Sequence, residues 1–318
     1  MPRSTTRARA GRGSLTQLRK AVVQRGLSAA TWLPEASEGR AVEATVQPAR
    51  LVEGECVQTH PVGPAESWPG VVAFMDGIQR YQIVGYLGSA PLVVAHLAAA
   101  VRERRDRRLT TVRMEREVVA LARPEVLRAV EDLLDGVRAV PLSDEEPGHP
   151  VVDLEAARRL IDRERGALEL RVGESYRRDG EGWLVVDGSL AESPQWAASP
   201  RMIGVAKSHA TLPFAGRDQV VYLETPFGHR SSVFAPESHA VAPVYSWSLR
   251  LWPWEGKDLF HGLIRVETAP TSGAREGADQ IGRWLLAERA PISTPDRRWD
   301  RLLYGIHDVE VYLRSRMV

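Results

Sequence analysis

Two stretches of the sequence end in the same way. Val71-Val72-Ala73-Phe74-Met75 runs into Asp76-Gly77, and Trp183-Leu184-Val185-Val186 runs into Asp187-Gly188-Ser189. Short apolar runs rich in Val, Leu and Phe predict buried strands. A glycine behind the acid permits a sharp turn or the close approach of a ligand. The sequence therefore predicts two core strands, each ending in a carboxylate held on a rigid scaffold.

The pairing of the two acids indicates a metal site. Asp76 and Asp187 on adjacent strands would repel each other unless a cation lay between them, and clusters of oxygen ligands suit Mg²⁺ or Mn²⁺. We therefore predict a metal-dependent phosphodiesterase, specifically a nuclease. The alternative is that each Asp-Gly is only a turn after a strand, which is the commoner role of a single Asp-Gly.

Two-metal hydrolysis needs three or four carboxylates around ions roughly 4 Å apart. The segment 153–176 has the apolar stripe of an amphipathic helix, and it precedes the second strand. It offers Asp162, Glu164 and Glu169. We choose Glu164 as the third ligand, because it follows the apolar pair Leu160-Ile161, with Glu169 as the alternative. Acids on an arginine-rich helix also form solvated i,i+4 pairs, which is the opposing interpretation.

Two further side chains are candidates for the chemistry. Lys207 ends a predicted strand at 202–206 and would meet a scissile phosphate or neutralise developing charge. The alternative for it is a surface lysine. His307, on the last predicted helix, is a candidate ligand or general acid. A single histidine of this kind is otherwise a core residue.

A group of aromatic and basic residues suggests a second function. Trp247, Trp252 and Trp254 are interspersed with Arg250 and Lys257. Aromatic and cationic side chains together can stack bases and contact phosphates of a single strand. The same residues equally describe a packed antiparallel ribbon or an interface between subunits.

Composition excludes several classes of protein. The chain has 318 residues, 43% of them hydrophobic, with formal net charge +1. Cys56 is the only cysteine, so an intrachain disulfide and a cysteine-based zinc site are excluded, which suits a reducing cytoplasm. No apolar window approaches the roughly 18 residues of a membrane span. No glycine-rich phosphate loop follows a strand, which disfavours NAD and ATP sites.

The chain divides at about residue 67. Residues 1–67 are predicted to be a basic flexible arm and a preamble, since the first 26 residues contain arginines and a lysine but no acid. An organelle transit peptide is the alternative for this start. Residues 68–318 are predicted to form one domain. Its order of elements indicates a mixed α/β or α+β fold rather than a doubly wound nucleotide fold.

Individual elements follow from periodicity and turn residues. Helices are predicted at 14–24, 116–140, 153–176, 275–290 and 295–314, and a helical or mixed apolar segment at 91–105. Strands are predicted at 71–76, 79–87, 202–206, 218–224, 231–235, 243–252 and 259–267, with a tight turn between the first two. The late strands predict an additional antiparallel β region.

Taken together, these motifs resemble the NurA family of DNA-end-processing nucleases. The similar features are Val72-Ala73-Phe74-Met75-Asp76-Gly77, Leu184-Val185-Val186-Asp187-Gly188-Ser189-Leu190, Ile203-Gly204-Val205-Ala206-Lys207-Ser208 and Gly305-Ile306-His307-Asp308. The motifs are short, and their order and spacing over about residues 68–314 carry the resemblance. The chain departs from the family pattern at Ile78, where serine is common, and at Ile306, where alanine is usual.

The resemblance implies an RNase H-like mixed sheet flanked by helices, with Mn²⁺-dependent exonuclease and endonuclease activity. It also implies a homodimer and a partner, a HerA-type hexameric ATPase that translocates DNA. Asp76 and Asp187 would be the core metal ligands, Glu164 the helix-borne glutamate and His307 the C-terminal histidine.

Our hypothesis is a metal-dependent deoxyribonuclease that processes DNA ends, in DNA repair or in antiviral defence. Asp76, Glu164 and Asp187 would hold Mn²⁺ or Mg²⁺, with Lys207 and His307 assisting. The rival hypotheses are a catalytically silent adaptor of an ATPase, an RNase H-like enzyme acting on RNA or a hybrid, and a module that binds single strands without cleaving them.

Overall fold

The structure is a computed structural model. It describes residues 15–26, 28–29, 45–46, 48–105, 108–143, 148–207, 209, 211–237, 242–255, 257, 259–289 and 303–316. The predicted basic arm lies largely outside these residues, and the division at residue 67 stays a prediction. Among the described helices, none combines the length and apolar character that a membrane span requires.

The described part of the chain contains both strands and helices. The strands are β1 (Ser28–Ala29), β2 (Thr45–Val46), β3 (Ala49–Leu51), β4 (Thr59–Pro61), β5 (Val72–Leu87), β6 (Ala90–Arg105), β7 (Arg108–Ala122), β8 (Arg138–Pro141), β9 (Trp183–Asp187), β10 (Met202–Ala206), β11 (Thr211–Leu212), β12 (His229–Ser231), β13 (Phe234–Pro236), β14 (Tyr245–Arg250) and β15 (Leu263–Thr268). The helices are α1 (Leu15–Gln24), α2 (Pro124–Ala129), α3 (Pro150–Asp179), α4 (Pro194–Ala198), α5 (Gly216–Leu223), α6 (Ala274–Ala287) and α7 (Tyr304–Arg316), with 3₁₀ turns at Glu131–Leu133 and Leu190–Glu192.

One mixed sheet organises the fold. Its strand order in the described part of the chain is β3-β13-β14-β15-β10-β9-β5-β6-β7-β8. At its centre β9 is parallel to both β5 and β10, whereas β15 pairs antiparallel with β10 and with β14. The prediction of a mixed sheet flanked by helices, with an additional antiparallel region, is confirmed.

Helices cover both faces of this sheet. Ala73 and Met75 of β5 pack with residues of α3, including Leu168 and Val172, in one core cluster. Phe74, the intervening residue, packs with α6 and α7 in a second cluster on the opposite face. Alternate residues of a strand face opposite sides, so β5 is buried between two helical layers. The apolar run that ends at Asp76 is thus central core.

The longest strands were predicted incorrectly. Residues 71–87 were divided into two strands with a tight turn, but β5 continues without interruption and pairs with β6 along almost its whole length. The segment 91–105 lies in β6 and not in a helix. Most of β6 is buried, and a strand covered on both faces loses the polar alternation that identifies strands in sequence. The prediction for this segment was therefore wrong in type.

Two other predictions were wrong, and the rest were largely confirmed. Residues 116–122 belong to β7, and a short helix, α2, begins only at Pro124, where the ring fits the first helical position. Residues 216–223 form α5 rather than a strand. The helices at 14–24, 153–176 and 275–290 are confirmed as α1, α3 and α6. Of the helix predicted at 295–314, residues 295–302 lie outside the described residues, and the remainder falls largely in α7.

The approach of α3 to the sheet depends on a glycine. A Cβ added to Gly173 would lie 2.8 Å from Trp196 Cζ2 and 3.1 Å from Met75 Sδ, whereas one added to Gly166 on the same helix would meet nothing within 4 Å. We expect Gly173→Ala to lower the free energy of unfolding by about 1–3 kcal/mol, because both neighbours are buried and cannot move freely. Gly166→Ala is the matched control and should raise it by roughly 0.5–1 kcal/mol.

Urea unfolding of the two variants and the wild type measures these differences. Equal effects of the two substitutions would contradict the close packing at Gly173.

Candidate functional site

The two predicted aspartates are neighbours in the sheet. β5 and β9 are parallel and in register from Val72 opposite Trp183 to Met75 opposite Val186. The next residue on each strand is Asp76 and Asp187 respectively. The two carboxylates therefore lie side by side where the parallel pairing ends. Asp76 is 8% exposed, so it enters the protein interior.

The third strand supplies a cation at the same edge. β10 is parallel to β9, with Val205 opposite Asp187. Lys207 follows the end of β10, and its Nζ donates to Asp187 Oδ2 at 2.8 Å. Lys207 is thus beside the acids and is not a free surface lysine.

Glu169 of α3 completes this group of carboxylates. Its side chain lies directly over Gly77, so that a Cβ on Gly77 would be 2.1 Å from Glu169 Oε1. The absence of a side chain at Gly77 is therefore what lets Glu169 lie beside Asp76. Arg165, one turn earlier on α3, donates to Glu169 Oε1.

The electrostatic state of these acids follows from burial and from each other. Burial raises the pKa of Asp76 well above its ordinary value, and the Asp187 charge adds to this, while Lys207 opposes it. Burial likewise raises the pKa of Glu169 to about 7, against the opposing charge and hydrogen bond of Arg165. The negative charges of Asp187 and Glu192 also raise the pKa of Glu169. Burial and like charge thus favour the protonated, neutral forms of Asp76 and Glu169 when no cation is present.

Glu164, the first choice for the third acid, lies elsewhere. It accepts a hydrogen bond from Arg138, which also donates to Glu117 on β7. The structure therefore groups Glu169, and not Glu164, with Asp76 and Asp187. Asp162 is likewise separate and accepts from Gln79 Nε2 at 2.6 Å. The i,i+4 pairing expected of acids on this helix occurs at Glu169 itself, through Arg165.

His307 lies on α7, which packs against β5. Its Nδ1 is buried without a hydrogen-bond partner in the described part of the chain and lies 3.9 Å from Glu310 Oε2. The described contacts do not join it to the acids.

The aromatic and basic ribbon is buried in part, since Trp252 and Trp254 are half-buried and Lys257 is exposed. Trp247 and Arg250 are fully buried, and Arg250 donates to backbone carbonyl oxygens, including that of Thr225. The Arg250 guanidinium also lies 5.8 Å from the Trp254 ring. Of the two interpretations of this ribbon, a packed structural element agrees with these contacts.

Sequence reasoning missed Glu267 on β15. This glutamate is 2% exposed, and it accepts from Ser189 Oγ at 2.7 Å and from the Leu190 amide at 2.9 Å. It therefore fixes the turn that follows Asp187. An acid next to Val266 in a predicted strand was the available signal, because a carboxylate buried with its apolar neighbours requires partners.

The residues fit a divalent metal by type and by charge. Asp76, Glu169 and Asp187 offer hard oxygen donors, and their like charges are buried together, which a cation would relieve. In the described arrangement, however, no set of three or more Asp, Glu, His or Cys side chains is placed so that it could hold a metal ion. Lys207 and Arg165 instead pair with Asp187 and Glu169.

Comparisons with known proteins do not assign the chain to a family. No protein-family model matches the chain, and no curated protein matches it significantly in sequence. Among solved structures, it is similar to the NurA nuclease from Sulfolobus solfataricus, with TM-score 0.42 and 11% identity. The match covers 85% of this chain and 87% of the other. At this level of similarity, nothing about activity or residue roles is transferred.

The raised pKa of Glu169 leads to a prediction about stability. In metal-free protein the unfolded chain releases this proton near pH 4.5, whereas the folded chain releases it near pH 7. Wild-type stability contributed by this group is therefore present at low pH and lost as the pH rises through this window. Glu169→Gln should remove that loss and be about 1–3 kcal/mol more stable than the wild type at pH 8, with a smaller difference at pH 5.

Urea unfolding in EDTA between pH 5 and 8 measures the difference. Glu164→Gln is the matched control on the same helix, and its stability difference from the wild type should not follow this pH dependence. A Glu169→Gln difference that is constant across the range would contradict the assignment.

Proposed function

We propose that the chain is a metal-dependent nuclease. The observation that supports this most is the convergence of Asp76, Asp187 and Glu169, with Lys207, at the shared edge of two parallel strands. Buried acids with raised pKa values, such as Asp76 and Glu169, cluster at functional sites. The like charges supply a physical reason for a cation there.

In this proposal Asp76, Asp187 and Glu169 hold Mn²⁺ or Mg²⁺, and Glu169 replaces Glu164. A bound divalent ion would supply Lewis acidity and a nucleophilic water for phosphodiester hydrolysis. Lys207, which lies beside Asp187, would stabilise the charge of the phosphate. Glu267 would hold the turn after Asp187 in place.

The remaining parts of the proposal rest on the sequence resemblance alone. They are a DNA substrate, a homodimer, a HerA-type ATPase partner and a general-acid or ligand role for His307. A role in repair or in antiviral defence belongs with them. A cytoplasmic setting rests on the single cysteine.

Cleavage of end-labelled linear DNA tests the catalytic part. We expect Mn²⁺- or Mg²⁺-dependent degradation by the wild type, abolished by EDTA. Asp187→Ala should lower the rate by more than roughly 100-fold, since loss of an outer-shell partner of a metal ligand alone costs about 10- to 100-fold. Glu164→Ala, the matched control, should retain the wild-type rate within a factor of about three, because its partner is Arg138.

Equal losses in Asp187→Ala and Glu164→Ala would contradict the site as assigned. If the wild type cleaves neither single- nor double-stranded DNA with either ion, with or without a co-encoded ATPase, the adaptor hypothesis is favoured. An RNA or hybrid substrate in the same assay tests the rival hypothesis of an RNase H-like enzyme that acts on RNA or a hybrid.

Metal binding has a second readout that does not depend on activity. Mn²⁺ should raise the melting temperature of the wild type in a concentration-dependent way, because the ion binds only the folded state. Asp76→Asn and Glu169→Gln should be more stable than the wild type in EDTA and gain less from Mn²⁺. Glu164→Gln should gain as much as the wild type. An equal gain in all four proteins would contradict metal binding at these acids.

A further inference from the structure

Beside the acids, β5 extends beyond the end of its neighbour β9. β9 pairs with β5 only as far as Met75, but β5 continues to Leu87. On this edge the next strand pairing among the described residues is with β1 at Gly85 and Tyr86. The stretch of β5 between these points therefore lacks a neighbouring strand in the described part of the chain.

A cavity of about 490 Å³ lies along this stretch. Residues 77–80 of β5, Asp162 and Arg165 of α3 and Arg314 of α7 line it. We call it the arginine groove. It adjoins the acids directly, because two of its lining residues contact Glu169. The Glu169 side chain lies over Gly77, and Arg165 donates to it. A ligand in the groove would thus continue past the carboxylates.

Arginine outnumbers acid among the described residues that line the groove, although Arg165 and Arg314 are also paired with Glu169 and Glu310 beside it. Arg80, Arg165 and Arg314 face one acid, Asp162, which already accepts from Gln79. Arg80 is exposed on β5, and the Arg314 side chain is 69% exposed and paired with Glu310. The arginine heads therefore surround a solvent-accessible space and do not belong to the core.

A second cavity provides a comparison within the same molecule. It has a volume of about 590 Å³ and lies at the end of the sheet where β9 and β10 begin. Its acids Glu103, Asp179 and Glu181 match its basic residues Arg105, Arg113 and Arg201 in number. A third cavity, of about 570 Å³, has Arg177 and Arg178 against Glu174 but lies where β10 begins. The groove is thus distinguished by having three arginines to one acid in its lining at a position next to Asp76 and Glu169.

We propose that the arginine groove binds the phosphates of a nucleic-acid strand that flank the phosphate at the acids. This rests on the proposed nuclease function. Arginine binds phosphate oxygens through two parallel N–H donors. No aromatic residue is among those described as lining the groove, so base stacking does not contribute. Recognition through the backbone alone makes the contact independent of base sequence.

The test separates binding from cleavage. Fluorescence anisotropy with a labelled single-stranded oligothymidine in EDTA measures binding by the wild type, Arg80→Ala, Arg314→Ala and the double variant. Arg201→Ala in the second cavity is the matched control, since it removes one exposed arginine that donates to the Glu181 carbonyl. Arg165 is left intact because it contacts Glu169.

Each groove substitution should weaken binding about 5- to 30-fold at low salt and reduce the slope of log K against log salt by about one. Arg314→Lys should keep the salt slope of the wild type but lose part of the affinity, because lysine keeps the charge and not the two parallel donors. Arg201→Ala should match the wild type. In the cleavage assay with Mn²⁺, the double variant should show a raised KM with kcat largely retained, since it loses binding and not chemistry.

Other outcomes also decide the question. Cleavage by the wild type with unchanged Kd and salt slope in the double variant would overturn the groove and leave the nuclease intact. Groove-dependent binding without cleavage would overturn the nuclease and leave the groove as a binding surface. Absence of binding by the wild type would overturn the groove. An oligouridine arm shows whether the strand bound is DNA, RNA or either, as backbone contacts alone predict little preference.

Discussion

The parallel register of β5 with β9 is the constraint on which the site depends. Both strands enter the core at the same end of the sheet, so their apolar runs finish together and Asp76 and Asp187 become neighbours. Helices cover both faces of β5, so a shift of one residue would exchange every side chain between the two helical layers. The packing of the core therefore fixes the position of two carboxylates whose charges repel each other.

The helix α3 adds a third acid to this unfavourable arrangement. Gly173 allows the helix to approach Met75, and Gly77 allows Glu169 to lie beside the strand. Burial then raises the pKa of both Asp76 and Glu169. A structure selected only for stability would not concentrate like charges in its interior. A local loss of stability of this kind is common where function requires it. Lys207 and Arg165 offset part of the cost, which makes them the first groups that an incoming cation would displace.

The elements that form the site were predictable to different degrees. The two apolar runs that lead to Asp76 and Asp187, and the lysine after β10, follow from local pattern, because short β-branched runs bounded by polar residues identify core strands. The length of β5 and the identity of β6 as a strand do not follow from local pattern. β6 is rich in alanine, valine and leucine and is buried on both faces, so it has the composition of a buried helix as much as of a strand. Only its pairing with β5 and β7, which is a property of the tertiary fold, decides between them.

The choice between Glu164 and Glu169 could not be made from the sequence alone, because it depends on the rotation of α3 against the sheet. At about 100° per residue, five positions separate the two side chains by about 140° around α3. They therefore cannot both face the acids. In the C-terminal half of α3 the buried residues Leu168, Val172, Gly173 and Tyr176 define the face that packs on the sheet, and Glu169 lies within that face whereas Glu164 lies outside it. Partly buried leucines elsewhere on α3 widen the apolar stripe in the sequence, so its centre was ambiguous until the sheet fixed the rotation of the helix. Asp162, seven positions before Glu169, returns to nearly the same face. One side of a single helix thus places a carboxylate beside Asp76 and, two turns earlier, lines the groove that adjoins it.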